Sequence, residues 1–301
     1  DKWSFDWKCR RMSSVGQLRD WLSLVRFSHS IFALPFALAG AFMAAQGMPS
    51  WRTMGLIVLC AVAARTAAMA FNRWADRVVD AANPRTRTRE LPAGRLAAPV
   101  VLAATVLAAL VFVAAAWLLN PLAGWLAVPV LVVLLGYSYM KRISAAAHFV
   151  LGVALAIAPG GAWIAVRGEL GPGFEAVVWL AAGVLCWVTG FDLIYACQDA
   201  DFDKQSGLHS VPAKLGVQRA LWMSRALHAL AVACFVGTGL SAGFVWTWWL
   251  ALALATGLLV WEHSIVKHDD LSRVNAAFFT ANGWVSVVLC AGVWLHYSGW
   301  V

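Results

Sequence analysis

The chain has 301 residues, of which 61% are hydrophobic and only 13% charged, and its mean hydropathy is +0.72. Such values exclude an ordinary water-soluble domain and point to a polytopic membrane protein. The formal net charge of +8 is therefore read as a topology signal and not as nucleic-acid binding.

Residues 1–26 form a charged N-terminal segment, expected to be cytoplasmic or interfacial, without the short apolar core and small-residue cleavage site of a signal peptide. Residues 14–28 (SVGQLRDWLSLVRFS) are amphipathic and suit a helix lying along the membrane surface. Uncharged runs follow at Phe27–Trp51, Leu96–Met140, Ile143–Val166, Ala226–Trp261 and Val274–Val301. One crossing takes about 20 apolar residues, so the longest runs hold more than one span. Asn120-Pro121 and Ser241-Ala242-Gly243 are the turns that divide them. The chain thus predicts nine transmembrane helices, at 27–47, 52–72, 97–118, 121–140, 146–166, 175–196, 218–239, 244–265 and 277–298. Period-2 barrel strands are absent, so the fold expected is an all-α membrane protein, one polytopic domain over 1–301.

With these spans, 20 of the 23 Lys and Arg fall in the N-terminal segment and in the loops after helices 2, 4, 6 and 8, counted with the adjoining helix ends. The positive-inside rule places the N-terminus in the cytoplasm. Trp51, Trp117, Trp246, Trp248, Trp249 and Trp300 lie near span ends, as interfacial belts require. The six cysteines are scattered without a C-x-x-C pair and read as small core residues.

The predicted second helix ends in Asn72, Asp76 and Asp80, spaced i, i+4, i+8, so on a helix they form one slowly drifting stripe. Asn83-Pro84 stops the helix soon afterwards. Carboxylates at the end of an apolar helix are costly to keep and are functional candidates by default. The predicted sixth helix ends in Asp192, Asp199 and Asp203, whose offsets of 7 and 11 return to one helical face, while Asp201 falls opposite. Asp76/Asp199 and Asp80/Asp203 share one separation of 123 residues, which suggests a pseudo-repeat with helices 2 and 6 in equivalent places. Clustered oxygens of this kind suit Mg2+, which takes one or two carboxylates, keeps waters and leans on substrate phosphates. Arg73, Arg77, Arg85, Arg87, Arg89, Arg95, Lys141, Arg142, Lys204 and Lys214 lie on the same predicted side, and such a mixture of acids and bases suits a diphosphate with bridging metal. The plainer reading makes them juxtamembrane charges that balance one another and touch lipid headgroups. Arg65 lies about two turns deeper on the Asn72 face, where a charge needs a partner.

These residues resemble the UbiA superfamily of intramembrane prenyltransferases. NRWADRVVD (72–80) is similar to its N-x-x-x-D-x-x-x-D motif, and DLIYACQDADFD (192–203) to its D-x-x-Y-x-x-x-D-x-x-x-D motif. YSYMKR (137–142) resembles its Y-x-x-x-K element, and LGVALAIAPGGAWIAVRG (151–168) its fifth-helix region. RFSHSIFALPFALAGA (26–41), NPRTRTRELPAG (83–94) and EHSIVKHDDLSRVNAAFFTANG (262–283) look most like the bacterial 4-hydroxybenzoate polyprenyltransferase branch, including relatives that prenylate a dihydroxynaphthoate.

The resemblance implies a nine-helix UbiA-type bundle in the bacterial inner membrane, around a central cavity open sideways to lipid. It implies Mg2+ on Asn72, Asp76, Asp80, Asp192, Asp199 and Asp203, with Asp76, Asp192 and Asp199 catalytic. Arg85, Arg89, Lys141, Tyr137 and Lys204 would bind the diphosphate of a polyprenyl diphosphate. The acceptor would be an aromatic acid, 4-hydroxybenzoate in ubiquinone biosynthesis or 1,4-dihydroxy-6-naphthoate in menaquinone biosynthesis, prenylated ortho to its hydroxyl. Arg65 is the candidate for the acceptor carboxylate, with Arg26 competing, and Tyr195 lies beside them. Tyr137 and Tyr195 either orient substrate or pack at the interface; Asp192 is either the base for the ring proton or an outer metal ligand; His29 either lines the cavity or is a satisfied interfacial histidine. A transporter would place such acids at mid-span, and a CDP-alcohol phosphotransferase would need an Asp-Gly that the chain lacks.

Overall fold

The computed structural model describes residues 20–21, 23–24 and 32–299. Arg26 and His29 lie outside the described residues, as do the first part of the span expected at 27–47 and most of the amphipathic stretch at 14–28. Nine main helices follow: α1 (Leu34–Ala45), α2 (Trp51–Ala82), α3 (Ala98–Leu119), α4 (Pro121–Ile143), α5 (Ala147–Arg167), α6 (Phe174–Ala196), α7 (Val217–Ala242), α8 (Trp246–Ile265) and α9 (Val274–Tyr297). Among the described residues all of the regular structure is helical. Eight of these helices are long and apolar enough to cross a membrane, and α1 is a shorter apolar helix. The protein is an integral membrane protein, in line with the nine helices expected.

Local chemistry sets the helix ends. Ser50 caps α2 by accepting the amide of Thr53, and Asn120 caps α4 by accepting that of Ala123. The Asn120 amide also donates to the carbonyl of Ile164 at 2.8 Å, tying the α3–α4 turn to the end of α5. Pro99 and Pro121 stand at helix starts, where the missing N–H costs nothing. At the other end of α2, Asn83 is extended because Pro84 follows it.

Consecutive helices pack in order from α2 to α9, and α1 closes the set by packing on α5, α9 and α2. Nine of the twelve residues of α1 are buried, so it stands inside the bundle instead of at its edge. It approaches α5 so closely at Gly40 that a Cβ there would lie 2.2 Å from the carbonyl oxygen of Pro159. The main core joins α1, α6, α7, α8 and α9 through Phe36, Trp187, Phe235, Trp248, Val285 and Leu289. A buried polar chain runs through it: Trp187 Nε1 donates to Asn282, Asn282 donates to the fully buried Glu262, each at 2.7 Å. The opposite half, α2 to α5, is looser and holds a cavity.

As the Asn83-Pro84 stop predicts, helix α2 continues beyond its apolar span through the first motif to Ala82. The second motif is not one straight face: α6 ends at Ala196, a 3-10 turn covers Cys197–Asp199, and a short helix Ala200–Gln205 follows. A 3-10 turn winds with three residues per turn, so the angular register beyond it no longer follows the 3.6-residue period. Helix α2 and the continuous segment Phe174–Gln205 are nevertheless the same length, 32 residues, with both ends displaced by 123 positions.

Candidate active site

The two acidic segments end side by side, and the loop after α2 joins them. Asn83 donates to Asp199 Oδ1 at 3.1 Å. Arg85 Nε donates to the same oxygen at 2.8 Å, its Nη2 donates to Asp199 Oδ2, and its Nη1 donates to the Tyr195 hydroxyl at 2.9 Å. Burial works against the Arg85 charge, but the hydrogen bond and charge of Asp199 outweigh it, and its pKa lies above the usual guanidinium value. The loop itself folds back on α2. The Asn83 side chain accepts the Arg85 amide, and Thr86 Oγ1 donates to the carbonyl of Asp80 at 3.0 Å.

Every motif carboxylate has a partner. Asp76 and Asp80 are 2% and 4% exposed, depths at which an unpaired carboxylate would be strongly destabilising. Asp76 is met from α4 by Lys141 Nζ at 2.8 Å and Arg142 Nη2 at 3.1 Å, and from α2 by Asn72 at 3.2 Å. Asn72 Nδ2 also lies 3.5 Å from Ser138 Oγ. Arg89 Nη1 donates to both oxygens of Asp80 at 2.8 Å each, and Arg73 stands 4.0 Å away. Asp203 lies near Ser210, Lys141 and His148, each of which favours its charged form against the burial that opposes it, and Asp192 is paired with His148 Nδ1 at 2.6 Å. The Lys141 carbonyl accepts the amide of His209 at 2.7 Å, which fastens the end of α4 to the loop beyond the second motif.

Beneath this charged layer lies a cavity of about 520 Å³, lined mainly by α2, α3, α4 and α5 with Ala33 and Ala37 at its α1 side. Its walls are apolar, from Ile57, Cys60, Phe112, Leu134 and Leu155, and Arg65 and Tyr137 are its polar residues. Tyr137 lies in the combined field of Arg65, Arg73, Asp76 and Asp192, so the polar end of the cavity adjoins the motifs. A greasy chain and a charged head could share this arrangement.

Among the sequence candidates, Asn72, Asp76, Asp80, Asp192, Asp199, Asp203, Arg85, Arg89, Lys141 and Tyr195 gather at this end, and Arg65 and Tyr137 line the cavity. Lys204 is exposed and makes no ion pair among the described residues. Arg142, expected only as one of the basic residues on this side, proves to pair with Asp76, whereas Asn83, Ser138, His148 and the Arg142–Asp76 pairing itself were not foreseen. His148 stands in an uncharged run, and an intramembrane histidine is itself a signal; the other three are visible only once the helices are packed.

For a divalent cation the donor chemistry fits, since all six motif side chains offer oxygen and none offers sulfur. Among the described residues no group of three or more His, Cys, Asp or Glu is arranged to hold a metal ion by itself. Mg2+ in general keeps waters and binds through a few carboxylates together with substrate phosphates. Motif acids and basic side chains nearly balance here, so an incoming diphosphate brings surplus negative charge that a cation would offset.

The sequence profile of the UbiA prenyltransferase family matches residues 33–284. A 4-hydroxybenzoate octaprenyltransferase from Cupriavidus necator is 32% identical over 259 residues, spanning 85% of this chain and 88% of that protein. The apo structure of a UbiA homolog from Aeropyrum pernix superposes with a TM-score of 0.80 at 34% identity, covering 88% of this chain and 96% of that one. A UbiA homolog from Archaeoglobus fulgidus, bound to DMAPP and Mg2+, superposes with a TM-score of 0.63 at 17% identity, covering 89% and 99% respectively, a likeness of fold.

Proposed function

The chain belongs to the UbiA prenyltransferase family, and we propose that it transfers a polyprenyl group from a polyprenyl diphosphate to the ring carbon ortho to the hydroxyl of 4-hydroxybenzoate. One observation carries this reading: an apolar cavity whose polar residues, Arg65 and Tyr137, adjoin two clusters of paired acids and bases. The name of the Cupriavidus necator relative supports the acceptor, and the positive-inside pattern supports a cytoplasmic site in a bacterial inner membrane.

Asn72, Asp76, Asp80, Asp199 and Asp203 would hold Mg2+ together with the diphosphate, with Asp192 either an outer ligand of that metal or the base for the ring proton. The metal would supply charge neutralisation of the leaving diphosphate, lowering the cost of breaking the allylic C–O bond. Arg85, Arg89 and Lys141 now hold carboxylates. On substrate binding they turn part of their hydrogen bonding to the diphosphate oxygens, where charge develops in the transition state. The cavity walls hold the prenyl chain and keep water from the allylic cation, which water would otherwise capture. Arg65 would bind the acceptor carboxylate; the ring carbon beside the phenol attacks the cation, and its proton then passes to Asp192 or to the released diphosphate, which restores the aromatic ring.

The test is transfer by purified protein in detergent with Mg2+ and radiolabelled polyprenyl diphosphate, offering 4-hydroxybenzoate or 1,4-dihydroxy-6-naphthoate. Prenylated hydroxybenzoate, lost on chelation of the metal, is the expected product. Transfer to the naphthoate alone would replace the acceptor, and transfer to neither would overturn the reading.

A further inference from the structure

His148 occupies the first turn of α5, buried, in a stretch of chain without any Asp, Glu, Lys or Arg from Ile143 to Val166. Its two ring nitrogens meet different partners. Nε2 lies 3.3 Å from the backbone amide of Val211, and Nδ1 lies 2.6 Å from Asp192 Oδ2. An amide N–H can only donate, so Nε2 must hold a lone pair and the ring proton must sit on Nδ1, facing the carboxylate. The surrounding chain thereby fixes the tautomer, and the imidazole acts as a neutral donor. Val211 is well placed for this task. It opens the short helix Val211–Leu215, where the first amides lack partners within the helix, and Ser210 caps that helix through Ala213.

Among the described residues Asp192 is bound through Oδ2 alone: its Oδ1 has no hydrogen-bond partner there, and its side chain is 22% exposed. Tyr137, in the cavity wall beside Arg65, lies within the field of this carboxylate. Asp76, Asp80 and Asp199 differ, each being paired to Arg or Lys, the partners that suit a diphosphate. A carboxylate held by neutral imidazole keeps its full negative charge and strong acceptor character.

We infer that His148 is a positioning residue: it turns Asp192 so that Oδ1 accepts the hydroxyl hydrogen of a phenolic acceptor at the mouth of the cavity. This rests on the aromatic-acceptor reading above and assigns a residue pair to its hydroxyl end. With Arg65 at the carboxylate, the acceptor is gripped at both ends, and a hydrogen bond from its hydroxyl to an anion makes the ortho carbon a better nucleophile. The Val211 amide ties this pair to the segment after the second acidic motif.

Steady-state kinetics of full-length wild type, His148→Phe, His148→Asn and Val211→Pro test this, with both substrates varied. His148→Phe fills the space without a donor and should raise the acceptor KM and lower kcat about tenfold or more, leaving the diphosphate KM unchanged. His148→Asn places an amide donor near the Nδ1 position and should restore most of the loss. Val211→Pro deletes the amide that fixes the tautomer and keeps an apolar side chain against Ile194, Cys197 and Leu221, at a helix start where proline is well tolerated, and should also raise the acceptor KM selectively. Melting curves in detergent check folding, and Val211→Pro carries the test if His148→Phe does not fold. A wild-type acceptor KM in His148→Phe or Val211→Pro, or equal loss in His148→Phe and His148→Asn, overturns the assignment while wild-type transfer keeps the function standing. No transfer by wild type to any phenolic acid overturns both.

Discussion

Arg85 and Asp199, 114 residues apart in the chain, meet fork to fork, with Nε and Nη2 of the guanidinium on the two carboxylate oxygens. This pair joins the loop after α2 to the segment after α6, and so turns two separate acidic motifs into one site. Arg85 also lies over the ring of Tyr195, 5.1 Å from its centroid, so its removal would loosen Asp199 and Tyr195 together. Arg85→Ala should raise the KM for the diphosphate about tenfold or more, the loss expected for a charge-assisted hydrogen-bonded pair. The acceptor KM should stay near wild type, as initial-rate measurements with each substrate varied would show.

Asp76→Ala and Asp199→Ala should each abolish transfer in protein that still runs as a folded species in detergent. Each leaves a basic side chain without its carboxylate, Lys141 with Arg142 in one case and Arg85 in the other. Full activity in either variant would remove that residue from metal and diphosphate binding.

Arg65→Ala should raise the KM of the aromatic acid far more than that of the diphosphate. Equal effects on both would move Arg65 out of the acceptor pocket, and product assays with each substrate varied decide between the two.

Gly161 lines the cavity, and a Cβ built on it meets nothing within 4 Å. Gly161→Leu should fold, since leucine favours helix over glycine by about 0.5–1 kcal/mol, yet its side chain would occupy space meant for the prenyl chain. Turnover of long polyprenyl diphosphates should fall while that of the shortest allylic diphosphates is kept. A chain-length series on the variant checks this, and an unchanged profile would put the prenyl chain elsewhere.

Asn282 bridges Trp187 and Glu262 inside the core, and Glu262 Oε2 already lacks a hydrogen-bond partner. Asn282→Ala would leave both groups buried and unpaired, costing about 1–3 kcal/mol for each. The melting temperature should drop clearly, and a stability equal to wild type would mean that water replaces the amide.

Much of this was legible from the residues. Charge-free runs and Pro or Asn punctuation placed the helices, because in lipid a segment must be both apolar and long. Asn83-Pro84 gave the end of α2 to within a residue. Helix periodicity handled the first motif, which stays on one continuous helix, but not the second, where the 3-10 turn at Cys197–Asp199 changes the register. Partner choice was out of reach: that Arg89 takes Asp80, Arg142 takes Asp76 and His148 takes Asp192 depends on helices packing from distant parts of the chain. The 12-residue length of α1 was equally hidden, since composition gives apolar length and not where a helix begins.

Helix α2 and Phe174–Gln205 have equal lengths but different surroundings, with 33% of the apolar window buried in the first and 67% in the second. Helices α3 and α4, flanking the cavity, bury only 22% and 17%. Few neighbours hold them, so they are the side of the bundle that yields at least cost. In amide exchange the backbone of α3 and α4 should open long before that of α6, and a product carrying a long hydrocarbon tail would slip out between those yielding helices, straight into the bilayer, without meeting bulk water.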